Sequence, residues 1–223
     1  MTQTAGPDPN KDGCGAALTQ PARQVHLAAL TAFAQTGRAP MRGDLERIAQ
    51  AGGADPATVL AELAERDVIV FDQAGEIRAA YPFSPSPTPI QVNWEDGPVT
   101  YAMCAIDALG ISAMLGRPVT ITAAEPGTGR VITVHADRDR ARWDPPRAVV
   151  FAGTTGGDCC HAADRTCGYI NFFTSAQAAR SWAHANPAVT GTVLRRAQAL
   201  RRGVAEFGTF MRAGDARAGP DQT

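Results

Sequence analysis

The sequence predicts an α+β protein, in which a winged-helix-like unit of three helices precedes a core domain made of a mixed sheet with flanking helices. Between residues 21 and 81, three segments carry apolar residues at helical spacing, and two short strands joined by a turn follow them. From residue 90 to 212, strand-like and helical segments follow one another irregularly, which is typical of an α+β core.

The elements of the first unit have recognisable boundaries. Pro21 opens the first helix, and Gly52 with Gly53 ends the second. Asp55 is a good cap for the third helix because its side chain can accept from backbone N–H groups, and Pro56 fits the first turn. The predicted bounds are, in order, a helix from 21, a helix at 42–51, a helix from 55, and strands at 68–71 and 77–81.

The core domain is predicted to contain both strands and helices in mixed order. Strands are expected at 90–92, 99–101, 119–123, 130–136, 148–152, 167–173 and 189–194. Helices are expected at 104–115, 175–185 and 197–211. The mixed charge run at 137–142 is interpreted as a solvated loop, and the glycine-rich segment 153–166 as another loop.

The remaining segments are expected to lie outside these two units. Residues 1–20 and 213–223 are polar and are predicted to be disordered tails. Residues 82–89, PFSPSPTP, are predicted to be a linker that cannot hold a central strand, because proline lacks the N–H that a ladder needs. The winged-helix-like domain therefore covers 21–81 and the core domain 90–212.

Net charge and cysteine content exclude some classes of function and favour others. With 22 acidic and 21 basic side chains, the net charge is −1, which disfavours a polybasic nucleic-acid binder. No apolar run reaches the ~18–20 residues that span a bilayer, and the polar start is unlike a secretory signal. We therefore expect a cytoplasmic protein with no nucleic-acid and no membrane partner. Five cysteines in a reducing compartment indicate thiolate or metal chemistry and not a disulfide scaffold.

The winged-helix outline raises the alternative of a DNA-binding regulator. Affinity for DNA comes largely from neutralising phosphates. The third helix would be the recognition helix, but its outward positions are mainly acidic: Asp55, Glu62, Glu65 and Asp67, with Arg66 the only base. The unit is therefore interpreted as a scaffold packed on the core.

Cys104 and Asp107 are three residues apart at the start of a predicted helix, which places both side chains on one face. The helix N-terminus favours a thiolate, whereas an ionised carboxylate would raise the pKa of the thiol. A thiolate would in turn keep Asp107 protonated, so that a soft ligand lies beside a proton donor. Judged from this pair alone, a reactive thiol–carboxyl pair and a buried core cysteine beside an incidental aspartate are equally good interpretations.

The other cysteines fall into two groups. Cys167 opens the predicted strand CGYINFF, and two thiolates from separate elements suit a soft ion that accepts two sulfur ligands. Cys159 and Cys160, followed by His161, form a local cluster that fits metal capture, a redox role or no special purpose. Cys14 lies in the predicted tail and is interpreted as incidental.

Together, YAMCAIDAL around Cys104 and TCGYINFF around Cys167 resemble the organomercurial lyases (alkylmercury lyases) of bacterial mercury resistance. That family carries a Cys-x-x-Asp motif and a later cysteine on a segment that ends in Phe-Phe. Cys104, Asp107 and Cys167 match those positions. The resemblance covers residues 21–212, including a winged-helix-like part, and the paired motif is more specific than either half.

The resemblance implies protonolytic cleavage of a carbon–mercury bond. Cys104 and Cys167 would bind R–Hg⁺ as thiolates. Asp107, after accepting a proton from a cysteine thiol, would protonate the carbon and release R–H. Hg²⁺ would stay on these three residues as product, and Cys159 or Cys160 would assist its transfer. No organic cofactor or catalytic metal is implied; the partners are the organomercurial substrate, cytosolic thiols and a mercuric reductase.

Some positions leave alternatives open. Met103 stands where the best-known family members have an aromatic residue, and Gly168 where another cysteine is often found. Tyr101 and Trp94 could line the site, although core packing is the preferred interpretation. A metal-responsive regulator and a non-catalytic thiolate metal-binding relative are the competing functions. Asp107 favours catalysis, because plain mercury capture needs only the thiols.

Overall fold

The computed structural model describes residues 18–155, 163 and 166–211, and this part of the chain begins with three helices. They are α1 (Gln20–Thr36), α2 (Arg42–Ala51) and α3 (Pro56–Glu65). Asp55 caps α3 as predicted, since its side chain accepts from the backbone N–H of Thr58. Thr19 caps α1, so that helix begins one residue before Pro21. The predicted order of three helices is confirmed.

Two antiparallel sheets follow. The strands in the described chain are β1 (Ile69–Phe71), β2 (Ile77–Ala80), β3 (Phe83–Ser84), β4 (Ile90–Asn93), β5 (Thr100–Ala102), β6 (Val119–Ala124), β7 (Val131–Asp137), β8 (Arg140–Asp144), β9 (Val149–Thr154), β10 (Ile170–Phe173) and β11 (Thr190–Leu194). The further helices are α4 (Ala105–Leu115), α5 (Ala176–Ala185) and α6 (Arg196–Phe207). The larger sheet has the order β1-β2-β3-β5-β4-β6-β7-β8, and the smaller has the order β10-β9-β11.

The prediction of a mixed sheet is wrong. Every pairing registered among the described strands is antiparallel. Most neighbours in the larger sheet are joined by short connections, whereas a parallel pair needs a crossover of about a dozen residues or more. The coarser prediction of an α+β protein agrees with the structure.

Two predictions for connecting segments are also wrong. The supposed linker 82–89 contains β3, which pairs with β2 and β5 inside the larger sheet. This strand is only two residues long and excludes the neighbouring prolines, so no proline has to donate a ladder hydrogen bond. The charge run 137–142 is solvated as predicted but is not a loop: Asp137 ends β7, residues 138 and 139 form a tight turn, and β8 begins at Arg140. The domain boundaries themselves stay a prediction.

α4 lies at the centre of the fold. Ten of its eleven residues are buried, because it packs on the larger sheet, on β10 and on α6. A helix that is apolar all round is typical of such enclosure. No helix in the described part of the chain is long and apolar enough to cross a membrane.

α4 and α6 touch through two glycines. A Cβ atom on Gly203 would lie 2.6 Å from the carbonyl oxygen of Ile106 and 2.8 Å from the backbone nitrogen of Gly110. A Cβ atom on Gly110 would in turn lie 2.6 Å from the carbonyl oxygen of Gly203. The two helix backbones are therefore closer than any side chain at these positions permits.

We expect Gly203→Ala to lower the free energy of unfolding by about 1–3 kcal/mol, because the added methyl group must push α4 and α6 apart. Gly43→Ala is the control, since a Cβ atom there meets nothing within 4 Å. That change should be neutral or stabilise α2 by about 0.5–1 kcal/mol. Urea unfolding measures both effects. Equal stability of Gly203→Ala and the wild type would contradict the close helix contact.

His26 is buried in α1. Its ring lies edge-on to that of Phe210, with 5.4 Å between the centroids, and its Nε2 has no hydrogen-bond partner in the described structure. Burial lowers the pKa of His26 from 6.5 to about 4. Because the folded-state pKa is the lower one, this group's stabilising contribution is present above pH 6.5 and is lost as the pH falls through about 4.

We expect His26→Leu to remove part of the acid sensitivity of the fold. Between pH 6.5 and 4, the wild type should lose on the order of 3 kcal/mol more stability than this variant. His184→Gln, which changes an exposed histidine, should keep the wild-type pH dependence. Urea unfolding at several pH values tests this, and parallel pH profiles for His26→Leu and the wild type would refute it.

Candidate thiol and carboxyl site

Cys104 is the N-cap residue of α4 and follows β5 after a single residue, Met103. Its backbone is extended at this point, and its Sγ accepts a hydrogen bond from the backbone N–H of Asp107 at 3.4 Å. Asp107 is the third residue of the helix, so its side chain lies on the same face as the cap. The sequence prediction that these two residues share one face of a helix start is confirmed.

Cys167 reaches the same place from a different element. The predicted continuous strand over 167–173 is wrong at its beginning, where Cys167–Tyr169 forms a short 3₁₀ turn and β10 begins only at Ile170. The N–H of Tyr169 donates to the carbonyl oxygen of Thr166 at 2.8 Å, which closes this turn. Since β10 packs against α4, the turn brings Cys167 to the helix N-terminus.

The three side chains form one compact cluster. The Sγ atoms of Cys104 and Cys167 and a carboxyl oxygen of Asp107 all lie within 4.8 Å of one another. Their exposed fractions are only 2%, 6% and 3%, respectively. Two sulfur ligands at this spacing suit a soft metal ion, and the carboxyl group lies close enough to act on whatever that ion carries.

Comparison with known proteins identifies the family. A family model described as alkylmercury lyase (MerB) matches residues 83–208, which include the whole cluster. The chain belongs to the alkylmercury lyase family. An alkylmercury lyase from Streptomyces lividans is 28% identical over 162 residues, which are 73% of this chain and 74% of that protein. One from Staphylococcus epidermidis is 29% identical over 119 residues, 53% and 54% of the two chains.

The fold agrees with this assignment. The crystal structure of the mercury-bound form of MerB2 superposes on the present chain with a TM-score of 0.71. The two are 25% identical, and the match covers 88% of this chain and 94% of that one. The likeness therefore extends beyond the matched family region to the N-terminal helices.

Burial controls the ionisation of Asp107. Removal from water, the neighbouring Cys104 and the charge of Glu206 together raise the pKa of this carboxyl well above its usual range. Its Oδ2 atom is buried and has no hydrogen-bond partner in the described structure. An unpartnered oxygen in a buried site disfavours the carboxylate, so the group is held toward its protonated form.

The thiol of Cys104 is affected in the same direction. Burial and the neighbouring Cys167 raise the pKa of Cys104, whereas the N–H of Asp107 lowers it by a smaller amount. Burial raises the pKa of this thiol by more than the helix N-terminus lowers it. Cys104 is therefore a thiol, and not a thiolate, before a ligand binds. A thiol of this kind loses its proton when a metal ion binds to the sulfur, since metal ligation requires the thiolate.

Tyr81 is a neighbour of the cluster that the sequence prediction missed. It is 3% exposed at the end of β2, and its hydroxyl oxygen accepts a hydrogen bond from the N–H of Ala163 at 2.6 Å. Burial, followed by the proximity of Cys167, raises the pKa of the Tyr81 phenol, so the hydroxyl stays neutral. No motif marks this residue, and only its position before Pro82 at the end of a predicted strand distinguishes it.

Of the other residues that the sequence analysis singles out, only some lie in the part of the chain that the structure describes. Cys14, Cys159 and Cys160 lie outside the described residues. Tyr101 is half-buried on β5. Trp94 is 8% exposed and lines a pocket beside the C-terminal end of α4, away from the thiols, in agreement with a packing role.

Proposed function

We propose that this chain is an organomercurial lyase, which cleaves the carbon–mercury bond of R–Hg⁺ by protonolysis to give the hydrocarbon R–H and Hg²⁺. The observation that carries this proposal is the cluster of two thiols and one carboxyl group within 4.8 Å, in a chain of the alkylmercury lyase family. Each group has a role in that reaction, and burial keeps bulk water away from all of them.

The thiols bind the substrate first. Cys104 and Cys167 exchange their protons for mercury, so that R–Hg⁺ is held by two sulfur atoms and two protons are released. Because its raised pKa already keeps Asp107 protonated, this carboxyl group does not need the thiol proton that the family resemblance assigns to it. Thiolate sulfur is a strong donor to a soft metal. Electron density from both sulfurs passes through mercury to the carbon, which makes this carbon a better proton acceptor.

Asp107 then acts as the general acid. Its proton goes to the carbon, the carbon–mercury bond breaks, and both electrons of that bond remain with the carbon in R–H. The carboxylate left behind and the two thiolates place three negative charges around Hg²⁺, which stabilises the product ion. The raised pKa of Asp107 serves this step, because an ordinary aspartic acid would have lost its proton at neutral pH.

Product release requires other thiols. Two thiols from the cytosol take Hg²⁺ as a bis-thiolate, and their protons return to Cys104 and Cys167. Asp107 regains its proton from solvent, so that one of the two protons released on substrate binding remains as a net product. A mercuric reductase is a suitable final acceptor. Cys159 and Cys160 are proposed helpers in this transfer. Beyond these residues and the mercury substrate, the reaction needs no organic cofactor and no resident metal.

The N-terminal helices are proposed to be a winged-helix-like scaffold, with β1 and β2 as the wing. Glu62 on the third helix accepts hydrogen bonds from the N–H and the hydroxyl of Thr19, at 2.7 and 2.6 Å. This acidic residue therefore joins α3 to the start of α1. This contact favours a packing role for the unit. The family membership of the chain also argues against the alternative of a metal-responsive DNA-binding regulator.

The direct test is incubation of the protein with phenylmercury and excess thiol. Benzene and Hg²⁺ should appear in equal amounts. Stoichiometric mercury binding without benzene would instead identify a non-catalytic thiolate relative. Specific binding to DNA in a gel-shift assay, with no benzene released, would favour the regulator.

The choice of the second sulfur ligand gives a separate prediction. We expect Cys167→Ser to reduce kcat/KM by at least about 10³-fold, which corresponds to ~4 kcal/mol of transition-state stabilisation. Cys160→Ser should reduce it much less, since that residue is assigned only to product transfer. Retained turnover in Cys167→Ser combined with lost turnover in Cys160→Ser would reverse the assignment.

A further inference from the structure

A pocket of about 900 Å³ opens at one end of the larger sheet. It lies where β4 and β7 end and where β6 and β8 begin. The thiols are at the opposite end of α4, whose eleven residues span roughly 16 Å. At the pocket end, Nη2 of Arg138 donates to the carbonyl oxygen of Gly116, which caps α4. The pocket is therefore separate from the proposed mercury site.

A row of three polar side chains crosses the pocket on the exposed face of the sheet. Thr120 is the register partner of His135, and His135 is the register partner of Arg142. Directly opposed residues on antiparallel strands have Cβ atoms about 4.5–5.5 Å apart. Thr120 Oγ1 lies 3.2 Å from Nδ1 of His135. When the hydroxyl donates to Nδ1, the other ring nitrogen carries a hydrogen and can donate to a ligand.

The pocket also contains unpaired cationic groups. Arg117, Arg140 and Arg142 line it, and none of them forms an ion pair with any residue that the structure describes. A guanidinium group presents a planar fork of N–H donors that matches two oxygens of a carboxylate or phosphate. Arg140 lies two residues from Arg142 on β8, so both project from the same face.

Acidic residues also line the pocket, but only Asp137 lies on the same side as Arg140 and Arg142. Glu95 and Asp96 follow β4, which lies three strand spacings, or roughly 14 Å, from β8 in the sheet. Asp137 is directly opposite Arg140 in the strand register, but its carboxylate accepts from Nη1 of Arg138 at 2.9 Å. Among the residues that line this side of the pocket, two guanidinium groups therefore face one carboxylate that is already paired, which favours an anion.

We propose that this pocket binds a small oxyanion, a carboxylate or a phosphate, through the Thr120–His135–Arg142 row and the adjacent Arg140. Arg142 supplies two parallel N–H donors, His135 supplies a third, and the second arginine adds charge. This inference does not depend on the mercury chemistry, because it uses neither the thiols nor Asp107.

The test is a titration of ¹⁵N-labelled protein with inorganic phosphate and, separately, with succinate, at constant ionic strength. We expect saturable amide shifts confined to β6, β7 and β8 for at least one probe. Phosphate alone would identify a phosphoryl ligand, and succinate alone a carboxylate ligand. Arg142→Gln should weaken binding by about tenfold or more, as the loss of a charged hydrogen bond implies. Arg140→Gln should weaken it too.

Arg147→Gln is the matched control, since it removes the same charge from an exposed arginine outside the pocket. It should bind the probes as the wild type does. Absence of saturable shifts with both probes would overturn the proposal. So would an equal loss of affinity in Arg147→Gln and Arg142→Gln, because that result would indicate general charge attraction and no site.

Discussion

Asp107→Asn is expected to lower kcat for benzene release from phenylmercury by about 10²–10⁴-fold, the usual contribution of a general acid. Asparagine has nearly the same shape and keeps the backbone N–H that donates to Cys104. Both thiols also remain, so the variant should still bind one equivalent of phenylmercury. Loss of turnover with retained binding is the signature of a missing proton donor.

The same variant makes a prediction about stability. The pKa of Asp107 is raised in the folded protein, first by burial and then by Cys104 and Glu206. The contribution of such a group to stability is fully present below its unfolded pKa and is lost as the pH rises through its folded pKa. Asparagine cannot ionise, so the variant should lose less stability than the wild type as the pH rises.

Urea unfolding at increasing pH checks this, beside single-turnover kinetics of the same preparations. A variant that is less stable and also inactive would indicate only structural damage. Wild-type turnover in Asp107→Asn would remove this residue from the mechanism.

Cys104→Ser is the second large effect. We expect kcat/KM to fall by at least about 10³-fold, or ~4 kcal/mol in transition-state stabilisation, because a hard hydroxyl replaces one of two soft sulfur donors. Folding should not suffer. Serine is a favoured N-cap residue and can accept the same hydrogen bond from the N–H of Asp107.

The control is Cys14→Ser, which makes the same substitution at the cysteine interpreted as incidental. It should keep wild-type turnover and mercury binding. Cys104→Ser should bind phenylmercury more weakly, through one thiol, while its unfolding free energy stays equal to or above that of the wild type. Substantial benzene release by Cys104→Ser would contradict its role as a ligand.

Local signals account for the parts of this molecule that the sequence predicts well. Asp55 and Pro56 mark the start of α3, because capping depends on one side chain and its nearest backbone groups. Cys104 and Asp107 could be paired in advance for a similar reason, since three-residue spacing at a helix start fixes which side chains share a face.

Features that depend on distant partners were not predictable in the same way. β3 is two residues long, and only its pairing with β2 and β5 makes it a strand. Cys167 lies in a 3₁₀ turn and not in a strand, and this turn packs against β9, a contact that the local sequence does not specify. The position of Tyr81 beside Cys167 follows from the tertiary fold, which no local pattern encodes. The family resemblance, and not spacing, linked the two cysteines.

The central claim is that this site transfers a proton to the mercury-bound carbon. Incubation with phenylmercury in D₂O tests it most directly, with mass analysis of the hydrocarbon. We predict one equivalent of monodeuterated benzene for each Hg²⁺ formed by the wild type, and almost none from Asp107→Asn. Phenylmercury that remains intact on the wild-type protein, or benzene that carries no deuterium, would contradict the account.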